Sequence, residues 1–239
     1  MYLSVIIPAY NEEKNIEKTV RSIFGYLKEK IPEHEIIVVT DGSTDRTADI
    51  TRLLKTEIST LELVEFKNNR GKGFAVKTGM LKARGDFRLF TDADNSTTID
   101  HVEKMMSYFQ KGFDVVIASI AVRGHKVATG SEPAWRRIFG KLGNLFIQIM
   151  AVPGIHDTQR GFKIFTVEAA EKIFSKMTIE RWGFDVEALA LARKFGFKIK
   201  EVPVNWKNAP ESHVGLKAYF QVLMETVKIR RNLIIKKYD

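Results

Sequence analysis

The 239-residue chain contains no cysteine, which excludes disulfides, thiolate nucleophiles and cysteine-based metal sites. That absence fits a reducing compartment. Long hydrophobic runs are also missing: no stretch reaches the roughly 18 apolar residues that a spanning helix needs. The opening residues Met1–Pro8 lack a basic region, and their apolar run is too short for a signal peptide. The expectation from these absences is a cytoplasmic protein. Proline is sparse at six residues, and no repeat, low-complexity tract or clear linker divides the chain. Acidic residues are in deficit, 29 against 38 Lys and Arg, which leaves a formal charge of +9. Such a surface attracts nucleic acid, anionic lipid or phosphorylated ligands alike.

What is present is a large apolar fraction, 44%, with 10% aromatics, enough for a substantial core. The first half alternates strand-like and helix-like segments. Leu3–Pro8, Glu35–Val39, Leu61–Phe66, Phe87–Thr91 and Phe113–Ser119 read as strands. Between them, Ile16, Val20, Ile23, Phe24 and Leu27 form a helical stripe, which Asn11 is expected to cap with Glu12 and Glu13 in the first turn. Further helices are read at Asp45–Leu54, near Val76–Ala83 and near Ile99–Phe109. This β-α-β order predicts an α/β fold: a Rossmann-like, mostly parallel sheet with helices on both faces. Ligands in such sheets sit at the carboxyl ends of strands.

Three polar clusters fall at those ends. Asp92-Ala93-Asp94 follows Phe87–Thr91; in an extended segment residues i and i+2 point the same way, so two carboxylates converge. Hard oxygen ligands suit Mg²⁺ or Mn²⁺, which usually hold substrate phosphates. The same pair also suits the capping of the next helix. Asp41-Gly42-Ser43-Thr44-Asp45 follows a second strand; Asp41 either accepts a hydrogen bond from a base or ribose, or sits in a turn before a helix capped by Thr44 or Asp45. Asn69-Arg70-Gly71-Lys72-Gly73 opens a helix, where glycines permit close backbone approach and the helix N-terminus favours phosphate. It lacks Walker A spacing. Histidines 34, 101, 125, 156 and 213 show no metal-ligand spacing, and no hydrolase triad is visible.

The ordered string Val5–Glu13, Asp41–Asp45, Arg70–Gly73 and Asp92–Asp94 resembles the inverting family-two glycosyltransferases of GT-A fold. Three later motifs, Asp157–Lys163, Arg181–Glu187 and Glu201–Trp206, resemble the dolichyl-phosphate glucose synthase branch of that family. The resemblance spans roughly residues 3–207. It implies a UDP-sugar donor whose uridine end is held by Pro8, Tyr10, Glu12 and Asp41, with Lys72 and Ala93 also in the donor site. It implies that Asp92 and Asp94 bind a divalent metal, Mg²⁺ or Mn²⁺, and the diphosphate. Asp157 and Gln159 would face the sugar, while Trp182, Asp185 and Glu187 would shape the site. Thr40 and Asn95 depart from the usual pattern, standing where many relatives carry an aspartate and a glycine or apolar residue.

The implied acceptor is dolichyl or another polyprenyl phosphate at a membrane surface. A lipid phosphate is already anionic and needs cations rather than a strong base. Arg123 is the leading candidate among these cations, followed by Arg136, Arg137 and Lys163. Residues 135–151 form an amphipathic helix with Trp135, Ile138, Phe139, Leu142, Leu145, Phe146, Ile149 and Met150 on one face. That face suits a membrane interface or ordinary core packing. Residues 1–212 are read as the GT-A glycosyltransferase domain and 213–239 as a basic helical tail. The competing functions are a GT-A enzyme with another donor sugar or a soluble acceptor, a nucleotidyltransferase, and a basic nucleic-acid-binding protein. No interleaved aromatic and basic nucleic-acid module is present, so nucleic acid is not an expected partner.

Overall fold

The computed structural model of the chain describes residues 2–122, 126–127, 134–206 and 216–239. The elements follow in the order β1 (Leu3–Ala9), α1 (Ile16–Lys30), β2 (His34–Asp41), α2 (Thr47–Glu57), β3 (Leu61–Phe66), α3 (Lys72–Lys82), β4 (Phe87–Thr91) and α4 (His101–Met106). They continue with β5 (Val115–Ser119), β6 (Lys126–Val127), α5 (Ala134–Met150), β7 (Phe162–Thr166), α6 (Val167–Lys176), α7 (Phe184–Lys194), β8 (Ile199–Pro203), β9 (Asn205–Trp206) and α8 (Leu216–Ile234).

Seven strands form one sheet in the order β3-β2-β1-β4-β7-β5-β8, and β6 and β9 pair separately. All neighbours in the main sheet are parallel except β7, which runs antiparallel to both β4 and β5. Strands β1 and β2 are buried along their whole length, as expected when helices cover both faces. Alternation along the strands feeds two cores. Ile6, Ile37, Val39 and Phe90 face α3, α6 and α7, while Val5, Ile7, Ile36 and Val38 face α1, α2 and α4. Pro8 is tolerated because the pairing of β1 with β4 ends at Ile6, leaving only β2 beside it.

One expectation changes. Helix α1 begins at Ile16, not near Asn11. Asn11 instead takes a left-handed φ of 55° and accepts from the Thr44 backbone N–H at 2.8 Å, tying two loops together. The C-terminal segment is helical as expected, and α8 also packs inward: Val222, Ile229 and Tyr238 belong to the larger core. Helix α8 is held against α5 and α7.

Candidate active site

The chain runs from β1 outward to β2 and β3, then returns to place β4 on the other side of β1. The carboxyl ends of β1 and β4 thus flank a topological switch point, where α/β sheets bind ligands. The β1 and β2 loops are laced together there. Asn11 N–H donates to Ser43 Oγ at 3.1 Å, Glu12 N–H to Thr47 Oγ1 at 2.8 Å, and Glu13 N–H to Asp45 Oδ2 at 3.0 Å. Pro8 is buried and Tyr10 exposed, while the Glu12 carboxylate accepts from the Asn15 side chain at 2.9 Å.

Asp41 is buried and its carboxylate accepts from the Arg70 N–H at 3.0 Å and the Gly71 N–H at 2.6 Å. In this state it fixes the loop before α3 rather than presenting a free acceptor to a base. Gly42 packs so tightly on that loop that a Cβ would lie 2.4 Å from the Asn69 nitrogen. Its φ of 72° is also one that glycine adopts without strain. The expected phosphate site at the α3 N-terminus is modified too. The Gly71 N–H is held by Asp41, and the Phe74 N–H donates to the Glu180 carbonyl at 2.9 Å. The group from this loop that reaches the cleft is Lys72, whose Nζ lies 2.5 Å from Asp92 Oδ1. Asp92 and Asp185 together hold Lys72 in its ammonium form, outweighing the effect of burial, which alone would lower its pKa.

The Asp92–Asp94 segment is a turn, not an extended strand, so the alternation behind the expected convergence does not apply. Asp94 accepts from the Ser96 N–H at 2.9 Å, and Asn95 sits at φ 55°. Asparagine tolerates that left-handed conformation, which explains why it replaces glycine here. The Ala93 side chain is turned into the core and its carbonyl is taken by Thr19 Oγ1 at 2.6 Å, which anchors the turn. Thr40 is buried and its hydroxyl has no hydrogen-bond partner among the described residues. It shares the sheet face of Val38, turned toward α1 and α2, so the departure at Thr40 removes nothing from the Asp41 side.

The second half reaches the same cleft because β7 is antiparallel to β4. Phe162, at the start of β7, pairs with Thr91, at the end of β4. The Asp157–Gly161 loop therefore lies over the Asp92 turn, and the Asp92 N–H donates to the Gly161 carbonyl at 3.1 Å. A Cβ on Gly161 would lie 2.1 Å from Asp92 Oδ2. Asp157 is largely buried; its Oδ2 accepts from the Ile120 N–H at 2.9 Å and from Arg160 Nε at 3.2 Å. Gln159 is exposed at the loop surface.

Lys163 is not a phosphate contact. Its side chain is fully buried, pairs with Asp185, donates to the Arg160 carbonyl and lies 5.2 Å from the centre of the Phe90 ring. Burial pushes the Asp185 carboxyl above its ordinary pKa, against the pull of Lys163 and Lys72. Lys72, Asp92, Lys163 and Asp185 thus form a compact group of alternating charge.

Glu187 is fully buried and lies one layer behind the cleft. It accepts from the Thr178 and Ile179 N–H groups at 2.9 and 2.8 Å and from the Tyr238 hydroxyl at 2.7 Å. It thereby sets the path of residues 178–183, which carry the half-buried Trp182 and pack on Gly71 and Gly73. Gly183 N–H donates to Glu225 Oε2 of α8 at 2.6 Å. Glu225 and Tyr238 have no signal of a site in the sequence, and Gly161 has one only as part of the Asp157–Lys163 motif; pairing across the sheet and packing of α8 bring them in. Arg123 and the side chains of Arg136 and Arg137 lie outside the described residues.

A Gly161→Ala substitution tests this arrangement. It should lower kcat/KM about 100-fold by displacing the Asp92 carboxylate, with only a small loss of thermal stability. Activity within a few-fold of wild type would show that the position of Asp92 is not critical.

Comparison with known proteins places these features. The Glycosyl transferase family 2 description matches residues 4–174. A dolichyl-phosphate beta-glucosyltransferase of Dictyostelium discoideum is 38% identical, aligned over 96% of this chain and 74% of that protein. A dolichyl-phosphate beta-glucosyltransferase of Saccharomyces cerevisiae is 34% identical over 98% of this chain and 74% of its own length. Among solved structures, glucosyl-3-phosphoglycerate synthase from Mycobacterium tuberculosis, crystallised with Mn²⁺, UDP and glucosyl-3-phosphoglycerate, superposes with a TM-score of 0.69. That match is 20% identical and covers 96% of this chain and 79% of the other, which establishes a shared fold.

Proposed function

The chain belongs to glycosyl transferase family 2, and on that premise we propose that it transfers glucose from UDP-glucose, with inversion, to dolichyl phosphate or a related polyprenyl phosphate. The observation that carries the site assignment is the Lys72–Asp92 pair at the switch point, closed over by Gly161. A phosphate oxygen of the lipid attacks the anomeric carbon of the sugar. The bond from that carbon to the diphosphate oxygen breaks with its electron pair, giving lipid phosphate glucose and UDP.

The residues divide that work. The laced β1 and β2 loops, with Pro8, Tyr10, Glu12 and Asp41, form the wall for the nucleoside. Lys72 supplies fixed positive charge for the diphosphate. Asp157, oriented by Arg160 and the Ile120 N–H, and Gln159 stand on the loop that faces the sugar. The acceptor is anionic before it binds, so no side chain has to remove a proton from it. Cationic side chains of the second half, with Arg123 the leading candidate, bind that anion.

The residues present fit a divalent cation. Asp92 and Asp94 offer hard carboxylate oxygens on a partly open turn, and the missing Cβ of Gly161 lets the Asp92 carboxylate lie against that loop. No cluster of three acidic or histidine ligands exists among the described residues. The remaining coordination positions would therefore come from diphosphate oxygens and water, the usual state of Mg²⁺. When bound, the ion would offset charge building on the leaving diphosphate. The fold neighbour crystallised with Mn²⁺ and UDP supports this assignment. Treatment with a chelator is expected to cut transfer to about a hundredth or less, with Mn²⁺ or Mg²⁺ restoring it. Full activity after exhaustive chelation would remove the metal from the mechanism.

Membrane association is part of the same reading. Among the described side chains of α5, Leu142, Leu145 and Ile149 are exposed, Phe146 and Met150 are half-buried and Ile147 is buried. The described part of its apolar stripe is therefore not fully spent on the core. Among the described residues no helix is long and apolar enough to cross a membrane. A decisive assay gives the purified protein dolichyl phosphate in detergent, Mg²⁺ or Mn²⁺, and a panel of labelled nucleotide sugars. Labelled lipid from UDP-glucose supports the proposal. Labelled lipid from another donor would change the sugar. UDP-sugar binding without any lipid product would point to a soluble acceptor.

A further inference from the structure

Helix α8 has an outward face that its fold does not use. Its inward face is committed: Val222, Thr226, Ile229 and Asn232 are buried, and Glu225 holds the Gly183 N–H. The residues left exposed are Lys217, Tyr219, Phe220, Met224, Val227, Lys228, Arg230, Arg231 and Ile234. Phe220 and Met224 are each 70% exposed. With Val227 and Ile234 they follow the i, i+4, i+7 spacing of one helix face. Single exposed apolar side chains are ordinary on a protein surface; a stripe of this length is not.

The charges beside the stripe have one sign. Every ionisable side chain in that exposed set, apart from the Tyr219 phenol, is Lys or Arg, and none is a carboxylate. Ile235, Lys236 and Lys237 extend the same composition past the end of the helix. Helix α5, which packs beside α8, adds the exposed Leu142, Leu145 and Ile149, and its sequence Ala134–Met150 has no acidic residue. A stripe of apolar groups rimmed by cations is complementary to an anionic bilayer, where the apolar residues enter the acyl boundary and the cations meet phosphate headgroups. It is a poor surface for pairing with a second copy, because a two-fold contact would set the cationic rims against one another.

We propose that the outward face of α8, with its neighbour α5, docks the protein on an anionic membrane surface. This deepens, and rests on, the lipid-acceptor reading above. The placement is mechanically useful. Glu225, on the inward side of the same helix, holds the turn carrying Trp182, so the docking face and the wall of the cleft are parts of one rigid element.

The test is vesicle co-sedimentation of the full chain with phosphatidylcholine vesicles, with and without phosphatidylserine, beside the double variant Phe220→Glu/Met224→Glu. Both positions face solvent, so the fold should be retained. Wild type is expected to bind the phosphatidylserine vesicles. The double variant should bind at least tenfold more weakly. Lys228→Gln and Arg231→Gln should each weaken binding roughly fivefold, and more salt should weaken it further. Transfer to a short, water-soluble prenyl phosphate should be unchanged in all these variants. Absence of wild-type binding at low salt, or undiminished binding by the double variant, would overturn the proposal. So would self-association in solution that the double variant abolishes while vesicle binding is absent. Vesicle binding lost in the double variant, with no transfer to any prenyl phosphate by wild type, would support the docking surface and reject the lipid-acceptor reading.

Discussion

Replacement of Asp92 by Ala or Asn is expected to lower kcat/KM for glucose transfer about 1000-fold, on the order of 4 kcal/mol of transition-state stabilisation. Asp92 is the residue on which the parts of the cleft converge. Its backbone N–H is held by Gly161, one carboxylate oxygen is held by Lys72, and the carboxylate lies where a Gly161 side chain would otherwise be. Its side chain is about a third exposed, so its removal should cost little stability. The Asn variant keeps the shape and removes the charge, and it should be nearly as impaired as Ala. A stable Asn variant retaining a tenth or more of wild-type turnover would mean that Asp92 only closes the turn and pairs with Lys72. In that event the assignment of the metal and diphosphate to this end of β4 would fail.

The largest expected loss of stability comes from Lys163→Met. Lys163 and Asp185 are 0% and 5% exposed, and removing one partner strands the other charge in the core. Breaking such a pair costs about 3–5 kcal/mol. In a chain of this size that corresponds to roughly 10 °C or more in the melting temperature. The pH dependence has a definite sign. Burial already pushes the Asp185 carboxyl up, and loss of Lys163 removes its main opposing influence. The folded variant then holds a proton that the unfolded chain releases near the ordinary carboxylate pKa. The extra stability of the protonated form is present at low pH and lost as pH rises toward the folded pKa. The deficit relative to wild type should therefore grow from about pH 4 toward neutrality. The double variant Lys163→Met/Asp185→Leu should recover most of the loss, because a well-packed apolar pair avoids the desolvation cost. A Lys163→Met protein as stable as wild type at neutral pH would show that water or another cation satisfies Asp185.

Much of the first half was legible because its signals are local. The runs Leu3–Pro8 and Glu35–Val39 are largely apolar on both faces, as a doubly covered parallel sheet requires, and with Leu61–Phe66 and Phe87–Thr91 they appear as β1 to β4. The stripe of α5 was equally visible, since 3.6-residue periodicity survives in any helix. The start of α1 was misplaced because Asn11, a good capping residue in isolation, bonds across to Thr44 instead. A long-range partner of that kind has no imprint in the local pattern. The inward packing of the C-terminal helix was hidden for a similar reason. A basic composition describes only the outward face of α8, and Tyr238, near its end, is buried against Glu187, 51 positions away.

The sequence by itself determined the α/β class, the polar clusters at the ends of the early strands and the membership of glycosyl transferase family 2. Each follows from residue order and side-chain chemistry over short spans. Tertiary structure alone decided which groups share the cleft. It set Lys72 on Asp92, laid Gly161 over both, buried Lys163 against Asp185 and withdrew Glu187 behind the wall. The physical reason is the reversal of one strand. Antiparallel pairing of β7 with β4 carries a loop from the second half to the carboxyl end of the first, and strand direction is fixed by packing across the whole sheet rather than by the residues of the strand itself.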